Sequence, residues 1–294
     1  MSNHKNSKRA PNSRANGSKQ TLGSKRGAKR APTPIPSSNL DQYYTKDEVA
    51  AYFYRKFQQH FNDGLYLMVE PSAGTGSFLK LLPHGSIGYD LDPKYAGIIP
   101  ADFLKVEIES GGRPVAIIGN PPFGKNASMA VRFFNHGARQ SDVVALIVPR
   151  SFRKASIENR LDPAFQKVFE EAVPDNAFLS DGKAFHVPAM FQIWVRGDEP
   201  RRLRLVETKH PDFEFTTFDK ADFAIQRVGA QAGRVHHDLS RSPSSTYFIR
   251  GKVERVMARL DFRRFTGDVA GNPSLAKSEI VLLYREWIDL RAAE

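Results

Sequence analysis

Short apolar runs punctuate this chain at Leu67-Met68-Val69, Ile87-Gly88-Tyr89, Ile98-Ile99, Val115-Ala116-Ile117-Ile118-Gly119 and Val143-Val144-Ala145-Leu146-Ile147-Val148. Runs of that length, bounded by turn residues, predict strands buried on both faces. Ala127, Val131, Phe134 and Ala138 recur at helical spacing between the last two runs. Leu161, Phe165, Val168, Phe169 and Ala172 repeat that spacing and predict another helix, ended by Pro174. Phe178 falls in a predicted strand, and Met190-Phe191-Gln192-Ile193-Trp194-Val195 predicts a stronger one. The short link between them predicts an antiparallel hairpin. Strands alternating with helices imply an α/β fold, a mostly parallel sheet covered on both faces. Ligands of such sheets bind beyond the carboxyl ends of the strands.

Residues 198–294 are less regular. Arg201-Arg202-Leu203-Arg204-Leu205-Val206 predicts a strand with a basic edge, and Ser242–Ser245 a loop. Arg255, Arg259, Arg263 and Arg264 lie on or just after a helix predicted from Gly251, with the first two on one face. Ile280, Leu283, Tyr284, Trp287 and Ile288 form the apolar stripe of a further helix. The pair His236-His237 has no spaced carboxylate or thiol partner, so it reads as loop and no metal is expected.

Charge changes the picture at one end. The net charge is +11, yet residues 1–40 hold nine Lys and Arg with no Asp or Glu, which leaves the other 254 residues near +2. This tail is too poor in apolar residues to offset the entropy of ordering, so disorder is expected. Its function would be that of a polycationic arm on nucleic-acid phosphates. Met1, Leu22, Ile35 and Leu40 make neither a signal h-region nor an amphipathic transit helix. The apolar runs are too short to span a bilayer, so no membrane partner is expected. Cysteine is absent, which excludes a disulfide framework and a thiolate metal site.

Candidate chemistry gathers where the strands end. Asn120-Pro121-Pro122-Phe123 follows the Val115–Gly119 run. The prolines remove two backbone donors and fix φ at both positions. An amide, a free carbonyl and an aromatic ring then lie side by side, a set suited to a planar base bearing an amino group. An ordinary loop after a strand would look similar. Upstream, Glu70-Pro71-Ser72-Ala73-Gly74-Thr75-Gly76-Ser77-Phe78 follows Leu67–Val69 and predicts a small-residue loop opening a helix. Glycines let backbone approach a ligand, and a helix N-terminus favours a carboxylate. Leu79 stands where a dinucleotide fingerprint wants its third glycine, and no Gly-Lys-Ser/Thr is present. Asp90 ends the next strand, where an acid can accept both hydroxyls of a ribose. Asp102-Phe103 ends a third segment.

Together these segments resemble the S-adenosylmethionine-dependent amino-methyltransferases. Glu70–Phe78 resembles their motif I, Gly88–Pro93 motif II, Ala101–Leu104 motif III and Asn120–Phe123 motif IV. Tyr43-Tyr44-Thr45-Lys46-Asp47-Glu48-Val49-Ala50 resembles motif X, which closes over the methionine moiety. The order X, I, IV is similar to that of the gamma class of DNA adenine methyltransferases, over residues 41–197. The resemblance implies a class I (Rossmann-like) methyltransferase fold with an antiparallel last strand, and S-adenosylmethionine as cofactor. It implies cofactor contacts from Tyr44, Thr45, Glu70, Pro71, Ser72, Ala73, Gly74, Gly76, Phe78, Asp90, Leu91, Asp102, Phe103 and Asn120. Catalysis would rest on Asn120, Pro121, Pro122 and Phe123. Lys183–Pro188 resembles motif VIII, so Phe185 is expected on the target base with Phe123 and Lys125. Phe178 and Phe152 are expected in the core.

The expected reaction is methylation of the exocyclic N6 amine of adenine in DNA, placing the enzyme in the cytoplasm at the nucleoid. Without a cysteine thiolate, methylation of a pyrimidine ring carbon lacks its usual covalent nucleophile. Adenine in rRNA, tRNA or an mRNA end is the alternative, since Asn-Pro-Pro-Phe-Gly-Lys also occurs in rRNA adenine enzymes. A protein-glutamine methyltransferase and an inactive nucleic-acid-binding subunit are more distant alternatives. The expected domains are the tail 1–40, a catalytic domain 41–197 and a small extension 198–294 for substrate recognition.

Overall fold

The computed structural model describes residues 43–180, 182–269 and 271–292; the basic segment 1–40 lies outside them. Strand β1 (Tyr44–Thr45) leads into helix α1 (Asp47–His60). Asp47 and Glu48 in its first turn complement the helix dipole, and Val49, Ala50, Phe53, Tyr54 and Phe57 form its buried face. Strands β2 (Leu67–Glu70), β3 (Ile87–Asp90), β4 (Ile99–Pro100) and β5 (Val115–Gly119) follow. After helix α2 (Ser128–Ala138) come β6 (Val143–Pro149), the single turn α3 (Ala155–Glu158), β7 (Phe165–Ala172), β8 (Phe178–Ser180), β9 (Lys183–Phe185) and β10 (Ala189–Arg196).

Seven of these strands form one sheet in the order β4-β3-β2-β5-β6-β10-β7. The five from β4 to β6 pair in parallel, while β10 runs antiparallel to both β6 and β7. This is the expected class I methyltransferase order, with the last strand of the sheet reversed. Successive side chains point to opposite faces. Ile117, Val144, Leu146 and Trp194 pack with α2 residues such as Val131 and Phe134. Met68, Ile118, Ala145, Ile147 and Phe191 pack with the apolar face of α1. Each fully buried side chain of this size contributes about 1.5–3 kcal/mol.

Several local expectations fail, each for a physical reason. Residues 165–172 are the edge strand β7, not a helix. A register shift opposite Ile193/Trp194 leaves Val168 unpaired and 48% exposed. The bulge flips the following residues, so Phe165 packs with the α2 layer and Phe169 with the α1 layer. Their spacing of four therefore imitates a helical stripe. The hairpin partner of β10 is β7; β8 and β9 belong to a separate three-stranded sheet, order β1-β8-β9. No α-helix follows the Glu70–Phe78 loop, which passes through turns into one 3-10 turn, Leu79–Leu81. Pro83 stands too close for a helix to propagate.

Beyond β10, strands β11 (Glu214–Thr216), β12 (Phe223–Gln226), β13 (Val235–His236) and β14 (Thr246–Arg250) form an antiparallel sheet, order β11-β14-β12-β13. The short α4 (Glu254–Met257) and α5 (Arg263–Thr266) and the long α6 (Lys277–Ala292) follow. As the spacing predicts, α6 buries Ile280, Leu283 and Tyr284 against Phe213, Phe223, Ile225 and Ile249. Arg201–Val206 pairs with no strand, and Leu203 and Leu205 are 52% and 62% exposed. The helix expected to carry Arg255 to Arg264 is broken into α4 and α5; Arg263 pairs with Asp261 and Arg264 with Glu286. His236 lies in β13 rather than a loop, His237 contacts Glu254 at 2.9 Å, and no metal-holding cluster occurs among the described residues. Nor is any described helix long and apolar enough to cross a membrane. The buried pair Lys154–Glu279, 2.9 Å, ties the start of α3 to α6, and Arg153–Asp268, 3.2 Å, adds a second tie.

Candidate active site

Asn120 leaves the carboxyl end of β5, in the middle of the sheet, and is held from two sides. Ser72 Oγ donates to its backbone carbonyl at 2.9 Å, and its own Nδ2 donates to the Tyr43 carbonyl at 3.0 Å. The amide is thereby oriented, because only its nitrogen can donate to a carbonyl. Its Oδ1 is buried and has no partner among the described residues. The Pro121 carbonyl likewise accepts from none of them. Two acceptors are thus left over at one turn. Leaving a buried acceptor unmet costs about 1–3 kcal/mol, which a ligand donor would recover.

Phe123 is half-buried and touches both layers of the sheet's core, while its carbonyl accepts from Met129 and Ala130 N–H at 3.1 and 3.2 Å. The backbone then turns sharply. Asn126 and Ala127, with φ of 53° and 59°, are consecutive non-glycine residues in the left-handed region. Such residues cost on the order of 1–3 kcal/mol each and persist where the surroundings hold them. Lys125 projects into solvent from this turn. Phe185 is 42% exposed and stacks on Tyr43 with centroids 4.9 Å apart and planes 9° apart. It is not a core residue, in contrast to Phe178 and Phe152, which are buried as expected.

The Glu70–Phe78 loop lies beside this turn. Gly74 has φ of 49°, and a Cβ there would meet the Tyr44 ring at 2.8 Å, so glycine is required twice over. Asp90 Oδ2 accepts from Gly74 N–H at 2.7 Å, and Oδ1 from Asp92 N–H at 2.8 Å. Each carboxylate oxygen keeps a further lone pair for a hydroxyl donor. Leu91, next to it, is 56% exposed. Ser77 Oγ donates to the Thr45 carbonyl at 2.7 Å, locking β1 onto the loop. Thr45 is 6% exposed, and its Oγ1 is a third buried polar atom without a partner. It lines a cavity of about 600 Å³ with Tyr44, Thr75, Ser77, Lys80 and Leu179. Asn120 and Asp90 do not line that cavity; the Tyr44 ring, which does, also covers the Gly74 amide that Asp90 holds.

Four of the residues expected to contact the cofactor have buried side chains. Glu70, Ala73, Phe78 and Phe103 are 2%, 4%, 1% and 2% exposed. Phe103 stacks on Phe133, centroids 5.6 Å apart, inside the core. Glu70 Oε2 accepts from Leu79 N–H at 2.7 Å, and burial holds its pKa well above the usual carboxylate value. Asp102 turns back on its own chain, accepting from Leu104 N–H at 3.2 Å and pairing with Lys105 at 3.0 Å. Tyr43 and Ser77 enter the site unforeseen. Tyr43 acts through its carbonyl, which no side-chain pattern reveals, whereas the Ser77 hydroxyl stood within the loop already singled out.

No family model matches the chain, and no curated protein matches it. Solved structures do. A protein described as an RNA methyltransferase of Pyrococcus horikoshii is 17% identical with a TM-score of 0.42, over 55% of this chain and 90% of that one. A protein described as a modification subunit of a type I restriction enzyme of Vibrio vulnificus is 17% identical with a TM-score of 0.40, over 55% of this chain and 45% of that one. The magnesium protoporphyrin IX methyltransferase of Synechocystis, crystallised with bound SAM, is 14% identical with a TM-score of 0.35, over 51% and 77%. At these identities neither substrate nor site residues carry over, and the fold rests on the strand order itself.

Proposed function

We propose that this protein is an S-adenosylmethionine-dependent methyltransferase acting on the exocyclic N6 amine of adenine in DNA. One observation carries the reading: Asn120 is fixed by Tyr43 with its Oδ1 buried, unpartnered and next to the free Pro121 carbonyl. An amine with two N–H groups matches those two acceptors. The residues also fit the cofactor. Asp90 would take the ribose hydroxyls, the Thr45 hydroxyl has no partner among the described residues, and the Gly74–Gly76 backbone permits close approach.

When bound, the sulfonium would supply an electrophilic methyl group. The chain's part is to make the amine a nucleophile. The lone pair of an aromatic amine is delocalised into the ring. Acceptance of its two N–H bonds by Asn120 Oδ1 and the Pro121 carbonyl favours a pyramidal nitrogen and meets the positive charge that builds there. Phe123, with Phe185, would hold the base by stacking, which offsets part of the cost of flipping it out of a duplex. No base is required before transfer; the amine gives up its proton afterwards. Residues 41–197 would form the catalytic domain and 198–294 the recognition extension.

The test is transfer of labelled methyl to duplex DNA, single-stranded DNA and total RNA, followed by nucleoside identification. N6-methyladenosine confined to RNA would move the substrate to the alternative polymer. Label only on protein glutamine, or none at all, would overturn the reading.

A further inference from the structure

Arg227 has neither an anionic partner nor a carbonyl on its guanidinium among the described residues. It directly follows β12. Its guanidinium stands 5.2 Å from the Tyr247 ring centroid, and its Nε is buried and unbonded. No carboxylate pairs with it among the described residues. A half-buried charge without a counterion or full hydrogen bonding is costly.

Lys277, in the first turn of α6, reaches the same Tyr247 ring. Its ammonium lies 4.8 Å from the Phe215 ring centroid and 5.9 Å from that of Tyr247, again without an ion pair among the described residues. The two rings meet edge to face, 5.4 Å apart. Tyr247 is fixed by donating its hydroxyl to the Leu275 carbonyl at 3.1 Å. Two unneutralised cations thus sit on one rigid aromatic pair. Glu279, on the same helix as Lys277, is already engaged by Lys154 at 2.9 Å. That same pair, with Lys154 donating to the Ser274 carbonyl at 3.3 Å, anchors this patch to the chain leaving β6. The carboxyl end of β6 borders the Asn120 turn, since Gly119 of β5 is registered with Leu146 of β6.

We infer that Arg227 and Lys277 form a phosphate-binding site for the DNA strand flanking the target base. The inference rests on the proposed function for the identity of the polymer. The chemistry is that of paired cations: a phosphodiester oxygen accepts from the guanidinium and ammonium and supplies the missing anion. Such contacts position the strand without reading sequence. This surface, rather than the Arg255 and Arg259 face, would be where 198–294 meets substrate.

The experiment measures binding of a duplex DNA oligonucleotide by the full chain across a salt series, with Arg227→Gln, Lys277→Gln and Arg227→Lys variants. RNA of the same sequence and inorganic phosphate form parallel arms. Each neutral variant should lower the slope of log affinity against log salt, and the two combined should lower it by about 0.9, the value of one phosphate contact on B-DNA. Arg227→Lys should keep most of the slope, which separates lost charge from a damaged fold. An unaltered slope in both neutral variants overturns the site, as does loss of a phosphate-ion contact with no effect on DNA. The same slope loss on RNA alone keeps the site but reassigns its polymer. Binding is read independently of turnover, so absence of methyl transfer would sink the proposed function and leave this result standing.

Discussion

Asn120 Nδ2 donates to the Tyr43 carbonyl at 3.0 Å, and this single bond decides which end of the Asn120 amide is left for a ligand. The acceptor Oδ1 remains buried and unpaired. Replacement by Ala removes the acceptor needed as charge builds on the amine. We expect kcat to fall about 10²–10³-fold, the usual effect of deleting one such transition-state hydrogen bond, while cofactor affinity persists. Phe123→Ala should instead weaken use of the target base by roughly 1–3 kcal/mol, and Phe123→Tyr should keep most activity. Full turnover in Asn120→Ala, or a methylated pyrimidine ring carbon as product, would refute the mechanism.

Asp90 has two tasks, holding the Gly74 and Asp92 amides and offering its remaining lone pairs. Asp90→Ala should weaken S-adenosylmethionine binding by about 1.5–3 kcal/mol, the value of hydrogen bonds to a charged group. Titration calorimetry checks this, and unchanged affinity would remove Asp90 from the site.

Glu70 links the site to pH. Burial raises its pKa well above 4.5 in the folded chain. The folded state therefore binds this proton more tightly than the unfolded state does. The stabilisation is complete below the unfolded pKa and is lost as pH rises through the folded value. Glu70→Gln mimics the protonated form and can still accept from Leu79. Denaturant unfolding should show the variant gaining on the parent as pH rises from about 4.5 to neutrality. Parallel curves over that range would mean Glu70 is not so shifted.

Lys154 and Glu279, 12% and 8% exposed, neutralise each other where the start of α3 meets α6. Lys154→Ala strands a buried carboxylate and should cost about 3–5 kcal/mol in unfolding free energy. A loss under 1 kcal/mol, typical of an exposed pair, would contradict that burial.

The basic tail should add affinity without selectivity. Deleting residues 1–40 removes nine cations, so DNA binding should weaken and its salt slope shrink while saturated turnover holds. An unchanged slope would show that the tail does not touch nucleic acid.

The sequence by itself determined the features carried by local pattern. Apolar runs bounded by turns are strands wherever they fall, so β2, β3, β5, β6 and β10 were legible, as were the stripes of α2 and α6. The Asn120–Phe123 turn, the glycines at 74 and 76, and Asp90 were legible because their residue types are restricted by backbone geometry and hydrogen-bonding capacity. What only the tertiary structure decided depends on partners distant in sequence. Phe165 and Phe169 look like one helical face until the bulge at Val168 sends them to opposite layers. Phe103 and Phe78 look available until the core closes over them. The orientation of Asn120 rests on a carbonyl 77 positions away, and the position of Arg227 on a ring that lies 20 residues further along the chain. Those are relations of burial and contact, which a linear pattern of residue types does not encode.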